Sequence, residues 1–342
     1  MRAMVLKTVA PLAANRNPLV MMDLPVPAPG AEELLVKIST CGVCHTELDE
    51  IEGRTAPAML PIVPGHQAVG RVAALGPAVS GFDIGDRVGL AWIFSACGRC
   101  AACGAGAENL CPDFKATGRD APGGYAEFAV IPAAFAHRIP SAFSDSGAAP
   151  LLCAGAIGYR SLTLSGVRDG EAIGLTGFGS SAHLVLQMVR HRLPRTRVHV
   201  FARSTGEQAF ARELGASWAG DTADAPPEPL DAVIDTTPAW KPVPAALARL
   251  RSGGRLVINA IRKEDADKDE LLRLDYATHL WQEKQIRSVA NVTRRDVREF
   301  LALAAEIPIR PEIQEYPLEE ANRALTDLKE RRIRGAKVLR IG

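Results

Sequence analysis

The chain has 342 residues, 47% of them hydrophobic and 23% charged, which is enough for two ordinary domains and excludes a disordered or fibrous protein. Forty basic against thirty-nine acidic side chains leave a formal charge of +1, so no global field draws the protein to nucleic acid or to an anionic membrane surface. Apolar stretches are broken by charge, glycine or proline well before the length of a membrane span. Lys7 interrupts the only candidate signal segment, and a cytoplasmic location is the expectation.

In chain order, Met1 to about Pro150 reads as short strands cut by turns. Leu34–Ser39, Ala68–Leu75, Asp86–Leu90 and Tyr125–Ile131 alternate with Gly/Pro junctions, the pattern of an irregular, mostly antiparallel β domain. Between Gly147 and Leu164 the pattern becomes helical. Beyond it, apolar runs at Ala172–Thr176, Arg197–Ala202, Ala232–Thr236, Arg255–Ala260 and Ile286–Asn291 are separated by helix-length segments such as Ala182–Arg192 and Gly206–Leu214. Such alternation predicts a doubly wound parallel sheet, hence an α/β chain with a second, β-rich domain. Ala223–Pro229 is a proline-rich connection. The tail predicts a helix over Arg295–Ala305, an extended Pro311–Leu318, a helix over Glu319–Arg331 and a strand at Lys337–Ile341, too little for a domain and expected to rejoin the first one.

Seven cysteines, an odd number in bunches, make a poor disulfide framework. Cys97, Cys100, Cys103 and Cys111 form a C-x2-C-x2-C-x7-C cluster. Four thiolates satisfy a tetrahedral zinc and leave no open position, so the spacing predicts a structural zinc; an iron–sulfur cluster or a redox pair is the alternative. A second set comprises Cys41 and Cys44, His66 in Pro64-Gly-His-Gln67, and Cys153. Each alone is ordinary packing, but two thiolates and one imidazole together are the ligand set of a catalytic zinc with an open fourth position.

Ala172–Thr176 is followed by Gly177-Phe-Gly179-Ser-Ser-Ala182 and then a helical segment, the order of a dinucleotide-binding turn. Gly177 permits the turn, Gly179 lets a pyrophosphate approach the backbone, and Ala182 allows close helix–strand packing. The following strand ends in Ala202-Arg203-Ser204, where an NAD enzyme would present an acid to the ribose. A guanidinium and a hydroxyl suit a 2′-phosphate, which favours NADP(H) over NAD(H); the plainer reading leaves Arg203 a solvated surface charge.

With Cys44-His-Thr46, Gly65-His66, the four-cysteine lobe, Gly123-Gly-Tyr-Ala-Glu127, Leu152-Cys-Ala-Gly-Ala-Ile-Gly-Tyr159 and Ser288–Arg295 in place, the whole chain resembles the zinc-dependent medium-chain alcohol dehydrogenases, most closely the bacterial propanol-preferring type. The resemblance implies a GroES-like catalytic domain over residues 1–150, completed by 292–342, and a Rossmann domain over 151–291. It also implies two zinc ions per chain, with Cys44, His66 and Cys153 on the catalytic one and Cys41 not a ligand. Thr46 would pass the alcohol proton toward the cofactor ribose, His45 would reach the pyrophosphate, and Trp92 and Ile51 would line the substrate pocket unless they are simply core.

Three positions depart from the family pattern. Gln67 replaces a glutamate beside the zinc, Glu47 replaces the aspartate that orients the ligand imidazole, and Asp49 stands where many relatives carry the outer histidine of the proton relay. The expected activity is reversible oxidation of a small alcohol to an aldehyde or ketone by a homo-oligomer, dimer or tetramer. The rival readings are a reductase of an aldehyde or conjugated alkene, and a non-catalytic binding protein that keeps the fold.

Overall fold

The computed structural model describes residues 1–330 and 335–342. They divide into two compact units, Met1–Cys153 with Val292–Gly342, and Ala154–Asn291. The division falls after Cys153, so Leu151–Cys153, assigned from sequence to the second domain, fold with the first.

The first unit is built on a mixed seven-stranded sheet. Its longest strand, Glu33–Val43, pairs antiparallel with Ala68–Leu75, Phe128–Pro132 and Ala336–Arg340. The last of these pairings ties the C-terminal tail into the sheet: Leu339 lies opposite Cys41 and Lys337 opposite Val43. Ile313–Pro317 extends the sheet on that side in parallel, and Arg87–Leu90 with Ala136–Arg138 extends the other. Alternation along Glu33–Val43 buries Leu34, Val36 and Ile38, whose face joins Leu6, Ile51, Leu90, Tyr125, Ile131 and Leu325 in one core.

Two strands that the sequence pattern did not separate, Arg2–Leu6 and Leu19–Asp23, form a hairpin-like pair. The tail helix runs Arg294–Glu306, started by Thr293, whose hydroxyl accepts from the Asp296 N–H while the Asp296 carboxylate accepts from the Thr293 N–H. Val297, Phe300, Leu301 and Ala304 are its buried stripe. The second tail helix is Ala321–Lys329, and the expected end at Arg331 lies outside the described residues.

The second unit is a six-stranded sheet, parallel throughout, in the order Trp218–Gly220, Arg197–Phe201, Ala172–Thr176, Leu230–Asp235, Leu250–Ile258, Gln285–Ser288. Ala172–Thr176 is buried at every position, as a central parallel strand covered on both faces must be. The order reverses direction between Ala172–Thr176 and its neighbour Leu230–Asp235, the switch point at which open α/β sheets bind ligands. Two expectations shift here. The strand expected at Ile286–Asn291 is Gln285–Ser288, and Trp218–Gly220 is an additional edge strand. The helical run expected from Gly147 to Leu164 is broken into Asp145–Ala148, a 3-10 turn Ala149–Leu152, and Ala154–Ser165. Cys153 sits at the break with φ −131° and ψ −73°, outside helical geometry, which frees its side chain from the helix surface.

Among the described residues, no helix is long and apolar enough to cross a membrane.

Candidate functional site

The strand Glu33–Val43 runs directly into the short helix His45–Ile51, with Cys44 in extended conformation at the junction. Glu47 closes the helix start: its Oε2 accepts from the Cys44 N–H at 2.8 Å. Its other oxygen meets His66 Nδ1 at 2.5 Å, with both side chains essentially sealed from solvent. One buried carboxylate therefore fixes the backbone of one thiol-bearing residue and the orientation of the imidazole, so the longer glutamate reaches the ring as an aspartate would.

His66 Nε2, on the opposite edge of the ring, is buried and has no hydrogen-bond partner among the described residues. It lies with the sulfurs of Cys44 and Cys153 in a cluster whose atoms are all within 4.8 Å of one another. An orphaned imidazole nitrogen facing two thiols, one of them delivered by the backbone break at Cys153, is a donor set that fits a zinc ion with an open position. Cys41 is fully buried elsewhere in the strand, packed against Gly65, Gly124 and Tyr125. Burial and the Glu47 charge push its thiol well up, the behaviour of an inert core cysteine.

The protonation pattern agrees with the donor set. The Cys153 thiol hydrogen bond holds Cys44 well below its ordinary value against the pull of burial, while that same interaction and burial push Cys153 well up. Burial depresses His66, but the Glu47 carboxylate and Cys44 outweigh it and leave the imidazole well above its ordinary value. Without a metal the cluster keeps protons on His66 and Cys153 beside the Cys44 thiolate, and a bound cation would take their place.

Thr46 is buried beside this point, its hydroxyl 3.6 Å from Cys44 Sγ, whereas His45 is exposed on the same turn. Trp92 packs edge-on against the His66 ring at 5.1 Å. Ile51, expected at a pocket wall, is completely buried within the apolar core of the unit; its burial reflects packing. Asp49 is almost fully buried and its Oδ1 accepts from Arg54 Nε at 2.6 Å, so this carboxylate is engaged in an ion pair. Gln67 packs on the sheet, its C=O accepting from Gly42 N–H at 3.0 Å and its side chain filling the space a Cβ at Gly42 would need.

The four-cysteine lobe is local and half-exposed. Cys97, Cys100, Cys103 and Cys111 bring their sulfurs within 4.8 Å of one another. Gly98, at φ +73°, makes the turn between the first two, a conformation unfavourable for a side chain. Backbone donors complete the cage: Cys97 N–H points to Cys111 Sγ and Cys103 N–H to Cys100 Sγ. Backbone N–H groups of Arg99 and Cys100 draw the Cys97 thiol down to about 6, and burial with the Cys100 thiol pushes Cys103 up to about 12.

In the second unit Gly177 has φ +78°, and a Cβ there would meet Thr236 and Thr237 at 2.9 Å. Nothing lies within 4 Å of a Cβ built on Gly179, an open approach to the backbone at the start of the helix Ala182–Arg192. Ala182 is fully buried. At the end of Arg197–Phe201, Ala202 is buried and Arg203 exposed, while the Ser204 hydroxyl is already employed as a helix cap, accepting from Glu207 N–H at 3.1 Å.

Comparison with known proteins agrees with this pairing of a metal-binding β unit and a dinucleotide-type sheet. Residues 30–141 match the alcohol dehydrogenase GroES-like domain and residues 199–339 the zinc-binding dehydrogenase domain. A probable alcohol dehydrogenase AdhA of Mycobacterium tuberculosis (strain CDC 1551 / Oshkosh) is 46% identical over 332 residues, 96% of this chain and 94% of the relative. An alcohol dehydrogenase of Geobacillus stearothermophilus is 32% identical over 318 residues, 90% of this chain and 91% of its own. The crystal structure of an NAD-dependent alcohol dehydrogenase superposes with a TM-score of 0.91 at 28% identity, all of both chains being covered. The chain belongs to the zinc-dependent medium-chain alcohol dehydrogenases. It is an oxidoreductase that acts on alcohols with zinc and a nicotinamide cofactor.

Proposed function

We propose that the open cluster Cys44, His66 and Cys153 is the catalytic centre of a reversible, NADP(H)-preferring dehydrogenase of small primary or secondary alcohols. The cluster of Cys97, Cys100, Cys103 and Cys111 has a structural role, giving two zinc ions per chain in all. The observation that carries the catalytic assignment is the orphaned, buried His66 Nε2 facing two thiol sulfurs. When bound, the metal supplies a Lewis acid for the alcohol oxygen and the nicotinamide a hydride acceptor.

The chain's own residues do the rest. Glu47 holds His66 in the tautomer that leaves Nε2 free as a donor to metal. The Thr46 hydroxyl, buried beside Cys44, accepts the alcohol proton and passes its own onward. Asp49, at the outer end of this path, is held by Arg54 and orders the turn. His45, exposed at the helix start, is the imidazole assigned to the cofactor pyrophosphate. Trp92 forms an aromatic wall beside the ligand imidazole, and Gln67 keeps that neighbourhood free of one further negative charge.

For the cofactor, Gly177, Gly179 and Ala182 receive the pyrophosphate, and Arg203 reads the 2′-phosphate. Support for the latter is an exposed guanidinium with no ion-pair partner among the described residues, following Ala202 where an acid would repel phosphate. Ser204, committed as a cap, contributes through its remaining donor. Arg203→Ala should weaken NADP(H) binding by about 1.5–3 kcal/mol and spare NAD(H). Fluorescence titration with both cofactors measures it, and an equal loss for both removes Arg203 from phosphate recognition.

The reading includes a cytoplasmic protein, consistent with seven free cysteines. It also includes a homo-oligomer, consistent with Leu272, Tyr276, Trp281 and Ile286 all exposed around the edge strand Gln285–Ser288.

A further inference from the structure

The helix His45–Ile51 carries a second acid whose burial the reaction described above does not use. Glu50 is 1% exposed, and among the described residues neither of its carboxylate oxygens has a hydrogen-bond partner. Leaving a carboxyl buried and unpaired is costly, and such groups persist where something else employs them.

Its position says where. Glu50 follows Thr46 by four residues and therefore lies on the same helix face, about 6 Å further along the axis at 1.5 Å per residue. Thr46 is the hydroxyl beside Cys44, so Glu50 stands one turn beyond the point at which the alcohol is handled. The charged and titratable groups whose fields reach it are Glu47, His66, Arg119 and Cys44. Arg119 belongs to a stack that ends at the metal ligands: its guanidinium lies over the Trp92 ring at 5.5 Å, and Trp92 meets His66 edge-on at 5.1 Å.

The Arg119 charge reaches Glu50, but the guanidinium makes no hydrogen bond to it. Its Nε and Nη2 are committed to Asp120, at 3.0 Å to Oδ1 and 2.6 Å to Oδ2. Nor does Glu50 belong to the metal cluster, whose mutually close donor atoms are those of Cys44, His66 and Cys153 alone. Its two unpaired oxygens are each free to accept a hydrogen bond from a hydroxyl.

Resting on the assignment of Thr46 to the alcohol, we infer that Glu50 is a specificity-determining residue that binds a second hydroxyl of the substrate. The substrate class is then a short diol or hydroxyalkyl alcohol, with its two oxygens about 6 Å apart to match the one-turn offset, in preference to an alkanol of the same length. A site built to bond a substrate hydroxyl discriminates strongly against the analogue lacking it, because its own polar group is left unpaired.

The test uses the zinc-loaded enzyme with its nicotinamide cofactor. Values of kcat/KM for butane-1,4-diol and butan-1-ol are compared in the parent, Glu50→Gln and Glu50→Leu, and each protein is also examined for zinc content and for its cobalt-substituted absorption spectrum. The parent should favour the diol at least tenfold. That ratio should collapse toward one in Glu50→Leu, mainly through KM, and largely survive in Glu50→Gln, with the cobalt spectrum unchanged.

A parent that does not favour the diol overturns the inference, whether or not the leucine variant folds. So does a ratio unmoved by Glu50→Leu, or a changed cobalt spectrum, which would make Glu50 a metal ligand. If the parent oxidises neither alcohol, the alcohol reading of Thr46 has failed and Glu50 falls with it.

Discussion

The two cysteine clusters of the first unit share thiolate chemistry and are built in opposite ways. Cys97, Cys100, Cys103 and Cys111 come from one short stretch and are caged by neighbouring N–H groups, the first three half-buried and Cys111 buried. Cys44, His66 and Cys153 come from three distant segments and are brought together by a strand end, a loop and a broken helix, with His66 and Cys153 buried. A closed set of four local thiolates has nothing left to offer a substrate, so its value is in fixing the loop. An open set of three, oriented by a buried carboxylate, can hold a cation and still accept a further ligand. Proximity in sequence marks the structural site, and assembly by the fold marks the chemical one.

The sharpest way to break this contrast is to remove one ligand from each set. Cys153→Ser should abolish alcohol oxidation down to background while leaving the thermal midpoint close to the parent's, because the residue sits in a unit whose core does not depend on it; steady-state assay and calorimetry read the two effects. Cys103→Ser should do the reverse, costing about 3 kcal/mol and lowering Tm by roughly 6–12 °C for a unit of this size, with the remaining folded fraction still active at low temperature. Equal losses of activity and Tm in both variants would dissolve the distinction.

Glu47→Gln sharpens the comparison at the open site alone. The amide can still accept at His66 Nδ1 but withdraws the charge, and zinc affinity should fall about 10- to 100-fold, the usual cost of losing a ligand's supporting carboxylate. Competition with a chromophoric chelator measures it. No change in affinity would mean that Glu47 serves only the helix start, through its bond to the Cys44 N–H.

How far each region could be read from sequence follows the same division. The four-cysteine spacing and the Gly177–Ala182 turn are local patterns with local mechanisms, and both are legible without coordinates. The choice of Cys44 over Cys41 depended on resemblance, since nothing in Cys-x-x-Cys says which sulfur a strand turns into the core. Ile51 shows the same limit: an apolar residue near a ligand reads equally as wall or core, and in the structure it packs in the core cluster. Asp49 was legible as a carboxylate at the relay's end, but its pairing with Arg54 was not.

Glu50 was missed altogether. In Glu47-Leu-Asp-Glu50 it resembles one more charge on a solvated helix face, and only the tertiary packing of that face shows it to be buried and unpaired. The strand Trp218–Gly220 escaped because three residues carry no periodicity; its pairing with Arg197–Phe201 makes it a strand.

Zinc analysis of the parent alongside the two serine variants, by mass spectrometry on protein of known concentration, is the most direct measurement. Two zinc ions per chain are expected in the parent and one in Cys153→Ser, with the melting temperature of that variant retained. About one zinc per chain in the parent, or loss of both ions on replacing Cys153 alone, would contradict the existence of two independent metal centres.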